Sequence, residues 1–209
     1  LFGDYIHKYY YNSSIADGYT LRLIREDIES NYQMVMKNAL ADIEVIKGDA
    51  ERKWVYSHRQ FVEPMLDYII KDFERSRLIH EDNTIGGMVI CDSSEQAKEM
   101  FRIFETRSSV KDNPNKVKLT ALILHDVGTK EDRKKKVEDF KDGKIDLLFV
   151  YNMLLTGFDS PRLKKLYLGR VIKKHNLLQA LTRVNRTYKT HRFGYVVDFA
   201  DIREEFDAT

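Results

Sequence analysis

The spacing of hydrophobic residues changes period near residue 85. Before that point Trp54, Phe61, Met65, Leu66, Ile69, Ile70 and Phe73 recur at helical intervals, predicting a helical run over residues 50–78 with one apolar face. Pro64 falls inside it, so either the helix kinks there or two helices meet. A Trp and Met stripe at this spacing reads as core rather than as a ligand box. Beyond His80-Glu-Asp-Asn-Thr the pattern shifts to short apolar runs at 86–91, 119–125, 145–150, 165–169 and 195–199, which predict strands. Helices are predicted between them: 95–107 behind an Asp92-Ser-Ser94 cap, 131–141 after Gly128-Thr129, and 176–188. Strands alternating with helices of ten or more residues imply βαβ units, an α/β three-layer sandwich and a mainly parallel sheet. Ligands of such sheets gather outside the carboxyl ends of the strands. Residues 1–30 read as an irregular aromatic stretch, Ile6-His-Lys-Tyr-Tyr-Tyr11, a turn at Asp17-Gly18, and a strand-like piece at 19–24.

Composition adds few constraints. The 209 residues can bury one good core plus an appended segment, and 43% hydrophobic with 33% charged residues is ordinary for a globular protein. No apolar run approaches the roughly 20 residues of a bilayer span, and no signal-peptide pattern opens the chain, so a cytoplasmic, membrane-free setting is expected. Residue 1 is Leu, which fits a segment excised from a longer protein. The lone Cys91 excludes an internal disulfide framework, and six scattered histidines lack metal-ligand spacing, so no metal site is expected.

Charge is more informative where it is local. The whole chain sums to +2, yet residues 160–197 contain ten Lys or Arg and no Asp or Glu. Within this stretch Arg183 and Arg186 stand three apart on a predicted helix, where one face can present both guanidinium forks to a phosphate. A basic, solvated helix whose arginines pair with acids elsewhere is the plain alternative. About twenty residues earlier, Thr156-Gly-Phe-Asp159 follows a buried strand: Gly157 permits an unusual backbone path, Thr156 offers a hydroxyl, and Asp159 can accept from a ribose hydroxyl or an arginine. Alone, this tetrapeptide is a common turn.

Together the segments resemble a known family. Leu154-Leu-Thr-Gly-Phe-Asp-Ser-Pro161 followed by Gln179-Ala-Leu-Thr-Arg-Val-Asn-Arg186 is similar to motifs V and VI of superfamily 2 helicases and translocases, and Met88-Val-Ile-Cys-Asp-Ser-Ser94 to their motif IV. The resemblance is greatest to the motor (R, or restriction) subunit of type I restriction enzymes. Phe2-Gly-Asp-Tyr-Ile-His7, Ile15-Ala-Asp-Gly-Tyr-Thr-Leu21 and Gly194-Tyr-Val-Val-Asp-Phe199 extend it over essentially the whole chain. It implies a RecA-like second lobe at 85–209, preceded by an entry segment at 1–45 and a helical segment at 46–84. Arg183 and Arg186 match the arginine fingers of motif VI. Gln179, Gly157 and Asp159 match positions that meet ATP; Thr156, Ser93 and Lys174 are expected to meet DNA. Thr182 departs from the pattern, standing where many relatives have Gly.

The same resemblance has further implications. The parent would use ATP with Mg2+ and act on double-stranded DNA, with its first RecA-like lobe in the same chain and with modification and specificity subunits as partners. The chain lacks a G-x-x-x-x-G-K-[ST] loop, since Gly143-Lys144 is followed by Ile145 and Glu138 stands where the first Gly belongs. An Asp-Glu-x-His-like motif and a Pro-Asp…Asp/Glu-x-Lys nuclease site are absent too. The segment alone is therefore expected neither to bind ATP tightly nor to hydrolyse it. Lys164, Lys165, Lys173, Lys174, Lys189 and Arg192 are candidates for weak, strongly salt-dependent and sequence-independent contact with DNA phosphates. A second lobe of another superfamily 2 DNA or RNA helicase, or a non-catalytic α/β binding module, are the alternatives.

Overall fold

The five apolar runs become buried strands, and a sixth strand precedes them. The computed structural model describes residues 22–26, 28–47, 56–107, 116–154, 157–170, 172 and 174–199, with the side chains of 22, 41, 43–47, 174–176 and 178 outside the description. The motif-like pieces within 1–21, Trp54, Thr156 and Lys173 therefore lie outside the described residues. The strands are β1 (Arg22–Glu26), β2 (Gly86–Ile90), β3 (Thr120–Ile123), β4 (Leu147–Val150), β5 (Leu163–Leu168) and β6 (Phe193–Asp198). The helices are α1 (Ser30–Lys47), α2 (Arg59–Ile79), α3 (Ser94–Arg107), α4 (Lys130–Lys141) and α5 (Lys174–Val184).

All strand pairs are parallel, in the order β1-β6-β5-β2-β4-β3. Parallel strands covered on both faces should be apolar throughout, and β2, β3, β4 and β5 are buried at every residue. One face carries α1, α2 and α3 over a core that includes Phe61, Met65, Leu66, Ile69, Phe73, Met100 and Phe149. The other carries α4 and α5 over Met88, Ile90, Phe140, Leu148, Leu166, Leu177 and Val184. This is the expected α/β, RecA-like three-layer sandwich.

Local chemistry sets the helix limits. Thr129 and Asp132 form a reciprocal capping box that starts α4. Helix α2 begins at a His58 cap and runs through Pro64 near its start as one span to Ile79. Strand β1 and helix α2 precede residue 85 in sequence yet share one sheet and one core with the later elements. β1 pairs with β6, and α2 packs beneath β2, β4 and β5. Among the described residues no helix is long and apolar enough to cross a membrane.

Candidate functional site

After β4 the chain crosses from one side of β2 to the other before starting β5. The connection leaves the carboxyl end of β4 and descends over the face covered by α4 and α5. Its upper part is tied to the end of β5 by Arg170. That guanidinium stacks on the Tyr151 ring at 4.6 Å and donates to the Tyr151 carbonyl at 3.2 Å and to Asn152 Oδ1 at 2.8 Å. Sequence reasoning did not single out Arg170; its place just past a buried strand, inside the acid-free stretch, is the signal that could have found it.

The lower part of the connection is anchored through its middle. Leu154 has φ +65° and Gly157 φ +72°, with open space where a Gly157 side chain would go. Glycine takes this conformation freely, whereas a leucine there carries strain of the kind concentrated at functional sites. Phe158 then plunges into the core, its ring 5.9 Å from that of Phe140, while Asp159 stays exposed.

Helix α5 meets this connection. Leu177, Ala180, Leu181 and Val184 recur at i, i+3, i+4 and i+7 and bury one stripe, leaving Gln179 and Arg183 half-buried on its rim. Arg183 Nη1 donates to the Phe158 carbonyl at 2.8 Å, and Arg186 Nε lies 3.5 Å from Asp159 Oδ1. The two motif-like segments are thus in contact. The arginines do not lie at the carboxyl ends of the strands, where ligands of such sheets gather: the Val184 carbonyl between them sits beside Lys164 and Gly194, at the starts of β5 and β6. A helix joining parallel strands must return the chain to the amino edge, so its last turn is carried down the flank of the sheet.

The predicted helix to residue 188 is also too long. It stops at Val184, and Arg186 sits in a bend beyond it. The buried ammonium of Lys164 donates to the carbonyls of Val184, at 3.2 Å, and of Arg186. The following hairpin is fixed by Asp82, whose carboxylate accepts from Thr84 N and Oγ1 at 2.8 and 2.6 Å, from His191 Nε2 at 3.1 Å and from Lys189 Nζ at 3.2 Å. Burial alone would push the Asp82 carboxyl up, but these hydrogen bonds, led by Thr84, outweigh it and hold it well below the usual carboxylate range.

The basic stretch is less of a solvent-facing patch than its composition implied. Lys164 and Lys165 are each 1% exposed and point to opposite faces of β5, which removes both from the DNA-facing candidates. Lys165 pairs with Glu26 and, at 2.8 Å, with Asp72. Arg162, also buried, donates to the carbonyls of Thr84, Phe140 and Ile145. Lys189 is half-exposed but engaged by Asp82, whereas Arg192 is exposed. Ser93 is buried and its hydroxyl accepts from Gln96 N, so it caps α3; Gln96 in turn receives Asp92 N at 2.7 Å. The side chain of Lys174 lies outside the description.

A family model described as type I restriction enzyme subunit R domain 3 matches residues 128–201, which span the two motif-like segments. Over that stretch the chain is similar to type I restriction enzyme R subunits. An endonuclease subunit of a type I restriction enzyme from Staphylococcus aureus strain COL is 47% identical over 68 residues, covering 32% of this chain and 7% of that protein. A Methanocaldococcus jannaschii protein named for the same kind of subunit is 27% identical over 227 residues, covering 98% of this chain and 22% of its own length. The chain thus spans less than a quarter of the length of these relatives. Among solved structures, a fragment assigned to an HsdR subunit of a type I restriction enzyme from Vibrio vulnificus aligns over 93% of this chain and 35% of its own, with a TM-score of 0.57 and 17% identity. That likeness supports the fold.

Proposed function

We propose that this chain is the second RecA-like lobe of the ATP-dependent, DNA-translocating motor of a type I restriction enzyme R subunit. The observation that carries the reading is the contact between the two motif-like segments, with Arg183 on the Phe158 carbonyl and Arg186 against Asp159. Guanidinium groups held beside a Gly157-containing loop can stabilise charge developing on a transferred phosphoryl group. Arg186 and Asp159 are both about half exposed, at 50% and 58%, so this weak pair can give way to a stronger anion. In this reading Arg183 and Arg186 act as arginine fingers on an ATP, with its Mg2+, held by a first lobe. Gln179, Gly157 and Asp159 line the nucleotide, while Thr156 and Lys174 face double-stranded DNA. Modification and specificity subunits supply sequence recognition, the setting is cytoplasmic, and the isolated 209-residue chain has no ATPase activity.

The test is Arg183→Ala and Arg186→Ala in the full-length protein. Either change is expected to lower DNA-stimulated ATP turnover by about 10³-fold or more, the scale of an arginine finger. ATPase activity within a few-fold of wild type would instead favour a non-catalytic binding module. ATP turnover by the purified segment would count against the shared site.

A further inference from the structure

Lysine is rarely buried, and buried cations are normally paired with acids. Lys164 is 1% exposed, and the contacts its ammonium makes among the described residues are to two backbone carbonyls, Val184 O at 3.2 Å and Arg186 O. These carbonyls belong to the last residue of α5 and to the second arginine itself. A helix end presents unsatisfied carbonyls and a negative dipole end, which together can hold a cation that has no carboxylate partner. The same Val184 carbonyl is approached from β6: a side-chain carbon at Gly194 would lie 2.6 Å from it, closer than real contacts allow. One backbone oxygen is therefore gripped from β5 by an ammonium and from β6 by the absence of a side chain. Arg186 lies outside the helix, so helical hydrogen bonding does not place it.

We infer that Lys164 is a positioning residue for the arginine segment, setting where Arg186 stands by pinning the backbone that leads into it, with Gly194 as the opposing wall. The inference rests on the motor reading above. It requires no contact between Lys164 and nucleotide or DNA. Its effect reaches the chemistry through the backbone of residues 184–186, so Lys164 acts on the rate of the bound complex and not on ATP affinity.

The experiment uses the full-length protein with Lys164→Met and Gly194→Ala, which disturb the same carbonyl from opposite sides, each checked for native fold by circular dichroism. Both are expected to lower kcat for ATP hydrolysis by between about 10- and 100-fold, the loss that a displacement near one ångström can give. KM for ATP should change less than about threefold, as for an interaction realised in the transition state. Combined with Arg186→Ala, Lys164→Met should add little, because its effect is routed through that arginine. Wild-type kcat in folded Lys164→Met or Gly194→Ala overturns the inference, as does full additivity with Arg186→Ala. If one variant fails to fold, the other decides. If both fail, Lys164→Arg decides: it keeps the charge but not the ammonium's shape, and a wild-type kcat in it overturns the inference. If Arg183→Ala and Arg186→Ala leave turnover intact, the motor reading itself falls; if they abolish it while Lys164→Met does not, only the positioning role falls.

Discussion

Arg183 donates to the backbone carbonyl of Phe158 at 2.8 Å, so the arginine helix is fastened to the loop it was expected to serve. The Phe158 side chain is buried in the core, which makes the carbonyl a fixed point and Arg183 a structural tie as well as a candidate finger. Arg186, three residues on, meets the same loop through a half-exposed ion pair. The two arginines therefore differ in what their removal should do to the fold.

Arg183→Ala leaves the Phe158 carbonyl without that donor and should cost about 1–3 kcal/mol, the range for a polar group that loses a charged partner. For a chain of this size each kcal/mol lowers the thermal midpoint by roughly 2–4 °C. Arg186→Ala should cost under about 1 kcal/mol, as half-exposed pairs do. Calorimetry on both variants measures the difference. Equal midpoints would show that the Phe158 contact contributes nothing.

Asp82 gives the fold an acid-sensitive anchor. Its folded-state carboxyl titrates below the ordinary value, so the stability it contributes is fully present above the unfolded pKa of about 3.9 and is lost as pH falls below that toward its folded value. Asp82→Asn cannot show this loss. The gap in denaturant midpoint between wild type and Asp82→Asn should be widest near neutrality and should narrow below about pH 4. A gap that stays constant down to pH 3 would remove Asp82 from the account of acid unfolding.

DNA binding by the segment should be weak and blind to sequence. With Lys164 and Lys165 buried, fewer cations remain for phosphate contact than the ten in the stretch, and the salt slope should be correspondingly shallow. Fluorescence anisotropy with two unrelated duplexes across a salt series measures this. A marked preference for one duplex would contradict backbone-only contact.

The central sheet was legible because β2 and β4 are continuous runs without a polar side chain, a pattern that fully buried parallel strands impose. The onset of α3 could be read from Asp92-Ser-Ser94, and Ser93 indeed supplies the cap. Helix α1 could not be read: Met34 and Val35 are exposed while Met36 is buried, so its apolar residues form no clean stripe. The end of α5 escaped for another reason. Nothing local stops the helix before Lys189, and the contacts that meet its end, Lys164 and Gly194, come from strands on either side of it in sequence. Lys164 and Lys165 read as surface charge because that is where lysines usually lie. The two motif-like segments were recognisable as a pair, but their position on the flank of the sheet is set by the direction of the crossover helix.

The strand that enters this unit lies beside the strand that leaves it. Arg22 to Glu26 run parallel to Phe193 to Val197 through five register pairs, with Arg25 also bound to Asp198 at 3.2 Å. Tension applied between the start of β1 and the end of β6 therefore pulls two parallel neighbours past each other. Every hydrogen bond of the pair is loaded at once, whereas a hairpin would open one rung at a time. The seam is arranged to resist shear along the strand axis, the direction in which a pull arriving through the chain itself would act.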